Sequence, residues 1–362
     1  MNVSAPSFAQ STWLVAEREV GSKLRSKAYL ISTGILFLIA LAGVLWGGFS
    51  AQSDSRTPVA VTAETAQSVA DVPTIKPTEV ADADAARALV ADGTVDAALI
   101  PGGDAPFEYT VLAKDSAPTS LLQTLSLTPQ VELLDPSATN PGLRYLVAFG
   151  FGIIFFMAAL TFGSTIAQSV VEEKQTRVVE LLISAVPVRA LLAGKVIGNT
   201  ILAMGQVVGL AAIAIIGFTA TGQSSLLAGL GAPIAWFAVF FLFGFILLAA
   251  LFAAAAAMVS RMEDIGSTTT PLTMLVMAPY FLVIFFNDNP LVMTIMSYVP
   301  FSAPVGMPVR IFLGDAQWWE PILSLVIMLV TCAAAIWVGA KIYQNSLLRM
   351  GARVKLSEAL AG

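Results

Sequence analysis

The chain has 362 residues, 57% of them hydrophobic and 12% charged, with a formal net charge of −5 and no histidine. Soluble domains carry roughly 25% charged residues, so this surface cannot all face water. The missing histidine excludes a His-based metal site and a His general base, and the single cysteine, Cys332, excludes an intrachain disulfide and reads as a small apolar filler.

The pattern along the chain begins with an amphipathic stretch, residues 1–27. Trp13, Leu14, Val20 and Leu24 alternate there with Glu17, Arg18, Glu19, Lys23, Arg25 and Lys27, as expected of an interfacial helix leading into a first span. That span covers 28–49. It is longer than the roughly 7–15 apolar residues of a signal peptide, and acidic residues precede it, so it reads as a retained anchor. Composition then changes sharply. Residues 50–142 hold no long apolar run, and between Ser50 and Pro141 there are 13 acidic residues against four basic ones, Arg56, Lys76, Arg87 and Lys114. This stretch is expected to be a small extracytoplasmic α/β domain. Pro58–Thr62, Val95–Ile100 and Glu108–Leu112 read as strands, and Asp82–Ala91 as a helix capped by Asp82 or Asp84 and stopped by Gly93. Ser120–Leu127 reads as a returning helix, and strand–helix–strand suggests a βαβ unit.

Five more spans follow at 143–170, 196–218, 232–259, 265–286 and 321–342, giving an all-α polytopic membrane protein of six transmembrane helices. Val196 to Ser260 contains no Asp, Glu, Lys or Arg, room for two spans of about 20 residues each. Pro271 and Pro279 interrupt the fifth span. Residues 287–320 carry four further prolines and read as short interfacial or re-entrant helices, with Trp318 and Trp319 at headgroup level. Lysine and arginine collect in the amino-terminal tail, in the 171–195 connection and in the 343–362 tail. The positive-inside rule therefore puts both termini in the cytoplasm and the acidic domain outside.

No span carries an ionisable residue near its centre, where ion-coupled transporters bind the driving ion. The chain also lacks a phosphate-binding loop: Gly194-Lys195 would need glycine at position 189, which is Arg189, and Ser or Thr at 196, which is Val196. Any nucleotide-driven step must come from another polypeptide. Between the second and third spans, Glu172–Leu182 is expected to form a cytoplasmic helix in which Arg177 pairs with Glu173 and Glu180. Held between two spans, it could pass on a push from a partner, or be a hairpin stabilised by its own charges. Gly43-x-x-x-Gly47, Gly205-x-x-x-Gly209 and the Ala253–Ala257 run permit close helix contact. Thr268, Thr269, Thr270 and Thr273 near Pro271 could line a translocation path, or bond back to their own helix.

The run Glu172-Glu173-Lys174, Arg177, Glu180-Leu181-Leu182, then Gly194-Lys195, resembles the cytoplasmic signature of ABC-2 transporter permeases. With a basic amphipathic start, one span, a large insertion and five more spans, the layout resembles the NatB-like subfamily, exporters named for a sodium-extruding member. The family pattern often has glycine where this chain has Arg177. The resemblance implies the permease subunit of an ATP-driven exporter in the cell inner membrane, dimeric, with no catalytic residue, cofactor or metal of its own. ATP and Mg would sit on a separate ATPase, which Glu172, Glu173, Lys174, Arg177, Glu180, Leu181 and Leu182 would help to contact. The residues by themselves leave open an ion-coupled secondary transporter or a membrane sensor or scaffold.

Overall fold

The computed structural model describes residues 7–52, 56–70, 72, 74–102, 109–114, 121–122, 125, 141–349 and 354–361. The chain divides into two compact units, Met1–Leu45 with Ser137–Gly362, and Trp46–Pro136.

The larger unit is helical. Its elements are α1 (Phe8–Arg25), most of α2 (Lys27–Gln52), α4 (Pro141–Gln175), α5 (Val178–Ala185), α6 (Val188–Ala220), α7 (Ser224–Ala257), α8 (Ile265–Phe285), α9 (Pro290–Tyr298), α10 (Ala303–Leu313), α11 (Glu320–Leu347) and α12 (Leu356–Ala361). Six helices are long and apolar enough to cross a membrane: Lys27–Phe49, Gly142–Gln175, Val188–Ala220, Leu226–Ala257, Met262–Phe285 and Glu320–Leu347. Helices suit that environment because they satisfy their own backbone hydrogen bonds where water is absent.

The core lies between α4 and α7, where aromatic residues recur at helical spacing. Phe151 meets Phe237 at 4.8 Å between ring centroids, Phe155 meets Phe241 at 5.8 Å, and Phe162 meets Phe245 at 5.9 Å. Edge-to-face pairs like the last two contribute about 0.5–1.5 kcal/mol beyond their buried area. The Ala253–Ala257 run is buried, with Ala253, Ala256 and Ala257 in this core. Of the two GxxxG pairs, only Gly209 sits at a helix contact, against Phe37 of α2; Gly43, Gly47 and Gly205 face open space. The fifth span is not interrupted: α8 runs unbroken through Pro271 and Pro279.

Residues 287–320 fold into α9 and α10. Ala303 to Arg310 of α10 are buried throughout, and a polar clasp ties this hairpin to α11. Arg310, 5% exposed, donates to both carboxylate oxygens of Glu320 at 3.0 and 2.9 Å. It also donates to Ser297 Oγ and the Asp315 carbonyl, while Tyr298 and the Gln317 amide donate to Glu320. Trp318 and Trp319 beside it are exposed.

The smaller unit holds a four-stranded sheet of β1 (Thr57–Val61), β2 (Ile75–Glu79), β3 (Ala97–Pro101) and β4 (Tyr109–Ala113), in the order β2-β1-β3-β4. β1 pairs parallel with both β2 and β3, and β3 pairs antiparallel with β4. The helix α3 (Ala83–Asp92) is capped by the Asp82 side chain and ends at Gly93, whose φ of 80° favours glycine. Alternation serves both faces: Val59, Val61 and Leu99 pack with Val69 and Leu121, while Ala60, Ala98 and Ile100 pack with Ala86 and Val90 of α3. Strand β2 has no counterpart in the sequence reading, because Ile75-Lys76-Pro77-Thr78-Glu79 exposes all but its first residue. It is an edge strand, where proline is tolerated. Of the returning helix read over Ser120–Leu127, only Leu121, Leu122 and Leu125 fall among the described residues, as does all but Glu108 of the third strand.

Candidate functional site

Five charged groups lie along residues 172–182, at the end of α4 and in the turn and helix that follow, and the backbone there explains how they are sorted. Helix α4 continues through Glu172, Glu173 and Lys174 to Gln175. The turn that ends it is made at Arg177, with φ 58° and ψ 12°, the one non-glycine residue with positive φ among the described residues. A left-handed residue re-aims the chain, and α5 sets off in a new direction. A single helix over Glu172–Leu182 does not form, and the expected Glu173–Arg177 and Arg177–Glu180 pairs are absent among the described residues. Glycine adopts this backbone without strain, which accounts physically for glycine at this place in the signature.

Two of the charges on the last turn of α4 point inward. Glu173 lies 3.0 Å from the ammonium of Lys195 on α6 and also accepts from Arg18 of α1. Lys195 is fully buried. It donates to Glu19 of α1 at 3.0 Å and to Ser169 Oγ at 2.6 Å. Arg18 donates in turn to Glu19 at 3.3 Å. Two cations and two carboxylates thus form a neutral cluster binding α1, α4 and α6. Burial tends to raise the Glu19 carboxyl, but Lys195 and Arg18 outweigh it and hold the group below the usual carboxylate range. Burial likewise tends to lower Arg18, and Glu173 and Glu19 raise it above its ordinary value.

The cluster can form because α1 approaches α6 closely. Ser11, Thr12, Val15, Ala16 and Glu19 make one buried stripe on α1, at the i, i+4, i+8 spacing of a helix face. Opposite them stand Gly194 and Gly198, one turn apart. A Cβ on Gly194 would lie 2.4 Å from Val15 Cβ and 2.8 Å from the Thr12 carbonyl; on Gly198 it would lie 2.9 Å from Glu19 Cβ. The adjacent Gly194 and Lys195 therefore act together: the glycine admits α1 and the lysine neutralises its carboxylate.

Lys174 points elsewhere. It is fully buried, and its ammonium donates to the carbonyls of Ala257, the last residue of α7, at 2.7 Å and of Ser346, near the end of α11, at 2.9 Å. The other residues of the motif face outward. Glu172, Arg177 and Glu180 are exposed, Leu181 is 73% exposed, and Leu182 is half-buried against the core. The motif read as one surface is two sets interleaved: Glu173 and Lys174 inside, Glu172, Arg177, Glu180 and Leu181 outside.

The threonines of α8 bond backward. Thr268 and Thr269 donate to the Ile265 carbonyl at 3.1 and 3.0 Å, and Thr273 donates to that of Thr269 at 3.2 Å; Thr270 is exposed. Among the described residues, no group of three or more His, Cys, Asp or Glu could hold a metal ion.

Sequence reasoning missed the roles of Arg18 and Glu19, which read as charges of an interfacial helix. The only local hint for them was the small-residue pair Gly194 and Gly198, four apart.

Comparison with known proteins adds a family and two relatives. The family model described as "ABC-2 family transporter protein" matches residues 27–341. The chain is 28% identical over 222 residues to the uncharacterized protein YhaP of Bacillus subtilis (strain 168), covering 58% of this chain and 52% of the relative. It is 27% identical over 211 residues to the uncharacterized protein MJ1024 of Methanocaldococcus jannaschii, covering 57% and 51%. The chain thus spans about half the length of these curated relatives.

Proposed function

Because this chain belongs to the ABC-2 transporter family, we propose that it is the membrane-spanning permease subunit of an ATP-driven exporter, coupled to a separate ATPase through the outward residues of the Glu172–Leu182 segment. Multi-pass membrane character follows from the six apolar helices together with the family. The finer reading adds an orientation. Both termini face the cytoplasm of the cell inner membrane, and the acidic sheet domain faces outward. A second permease copy completes the path, in a NatB-like arrangement.

The observation that carries this reading is the sorting of the motif. A short helix with exposed Glu180 and Leu181 is mounted on a buried ion cluster that grips α1, α4 and α6. An exposed leucine at 73% on such a mount has no role in the fold of this chain, and an apolar knob ringed by charges suits a protein partner. A push on α5 reaches three helices at once, because its first residue, Val178, lies five positions past Glu173 of that cluster. The chain itself carries out no covalent step in this scheme; nucleotide hydrolysis belongs to the partner.

The test is co-purification of the chain with its partner ATPase from the native host, comparing wild type with E180K and L181D. Both substitutions fall on exposed positions and should leave the fold intact. Loss of bound ATPase in either variant, with an unchanged melting transition of the permease, is the expected result. Full retention of the ATPase and of its activity in the double variant refutes α5 as the contact. Substrate movement in liposomes by the chain alone, without nucleotide, refutes the permease reading as a whole.

A further inference from the structure

The strongest unexplained group in the helical unit is Lys174. Its ammonium is fully buried and has no carboxylate partner among the described residues. It bonds instead to main-chain carbonyls at the ends of two other helices, α7 and α11. Those carbonyls lie in the last turns, where the helix dipole is negative; the Ser346 carbonyl also accepts the Arg349 amide at 3.1 Å, and Lys174 takes its second lone pair. One side chain therefore draws together the same-side ends of α4, α7 and α11.

The tail reinforces this junction. The Val354 amide donates to the Met258 carbonyl, one residue past Lys174's acceptor on α7, at 2.9 Å, and Asn345 Nδ2 on α11 donates to the Ala359 carbonyl at 2.8 Å. Val354 and Ala359 are buried against Ala254 and Ile342. Yet the closed junction leaves two hydroxyls of α11 buried without a hydrogen-bond partner among the described residues, Tyr343 Oη and Ser346 Oγ. A permanently closed joint would be better filled by an apolar side chain, since a buried charge and orphaned hydroxyls both favour water. Groups that hold the helix ends together when dry, and gain hydration when wet, suit a junction with two states.

We propose that Lys174 is a positioning residue that pins the cytoplasmic ends of α4, α7 and α11 together as the inner gate of the permease, and that the gate opens when this pin exchanges its carbonyls for water. The proposal rests on the permease reading above and reassigns Lys174 from ATPase contact to gate. Because α4 ends one residue after Lys174, a displacement of α5 acts directly on the pin.

The experiment uses the full chain with its ATPase in lipid nanodiscs, in a C332A/S346C background, and follows labelling of the introduced thiol by a membrane-impermeant maleimide. With Lys174 present and no nucleotide, labelling should be slow. K174M should speed it at least tenfold, K174R should restore slow labelling, and ATP turnover with Lys174 present should speed it at least tenfold. K174Q carries the comparison if K174M does not fold. Equal labelling of K174M and the parent overturns the pin. ATP turnover that leaves labelling unchanged overturns the gate and makes the junction a static one. A preparation with no ATPase refutes the permease reading instead, and the K174M comparison then decides the pin by itself.

Discussion

Lys195→Met is the sharpest test of the ion cluster. The ammonium is fully buried and touches Glu19, Glu173 and Ser169 within 3.0 Å. Removing it strands two carboxylates whose side chains are only 9% and 13% exposed, with Arg18 as their remaining cation. Removing one partner of a buried pair typically costs about 3–5 kcal/mol. Arg18 is 43% exposed and still serves both carboxylates, so the expected loss is near the low end, about 3 kcal/mol. That corresponds to roughly two decades in the folding equilibrium. The assay is unfolding of the purified chain in mixed micelles, followed by tryptophan fluorescence, within a cycle of K195M, E173Q and the double variant. Neutralising Glu173 removes one stranded charge, so the double variant should be more stable than additivity allows, by about 1 kcal/mol or more. Simple addition of the two losses would refute a cluster held by charge and leave helix packing as its only support.

Three further outcomes follow from the same region. Gly194→Ala should destabilise by about 1–3 kcal/mol through overpacking, because the new methyl meets the Thr12 carbonyl as well as Val15. Gly205→Ala on the same helix meets nothing within 4 Å and should stabilise slightly, so the two unfolding midpoints should move in opposite directions. The Glu19 carboxyl is held below its usual range, so its contribution is complete above the unfolded value of about 4.3 and is lost as pH falls through the depressed folded value. Unfolding midpoints measured down this range should fall less steeply in E19Q. Arg177→Gly should raise the stability of the chain by roughly 1 kcal/mol, the left-handed penalty of a non-glycine residue; a loss of stability would mean that the Arg177 side chain contributes to the fold.

The apolar periodicity, the charge-free stretch and the lysine and arginine distribution were sufficient to read six membrane-length helices, because spanning length and hydropathy are local properties. The same holds for α3, whose Asp82 cap and Gly93 stop are written within ten residues. Strand β2 escaped because an edge strand with proline carries no alternation, and its identity comes from pairing with β1. The continuity of α8 through two prolines was illegible too, since tolerance of a proline inside a helix depends on how the surroundings satisfy the freed carbonyl.

For the candidate site, the residue types and their spacing were legible and the partners were not. Glu173, Lys174, Gly194 and Lys195 stand out in the sequence as a cluster, and short-range rules paired Glu173 with Arg177 four residues on. In the fold Glu173 bonds to residues 155 positions before it and 22 after it, and Lys174 reaches carbonyls 83 and 172 positions away. Sequence alone determined that this chain is a bundle of membrane-length helices with a motif at one connection, because those properties follow from composition over one or two dozen residues. Only the tertiary structure decided which charges turn inward. A side chain's partner in a dry interior is set by which helix ends converge on it, and convergence is a property of packing.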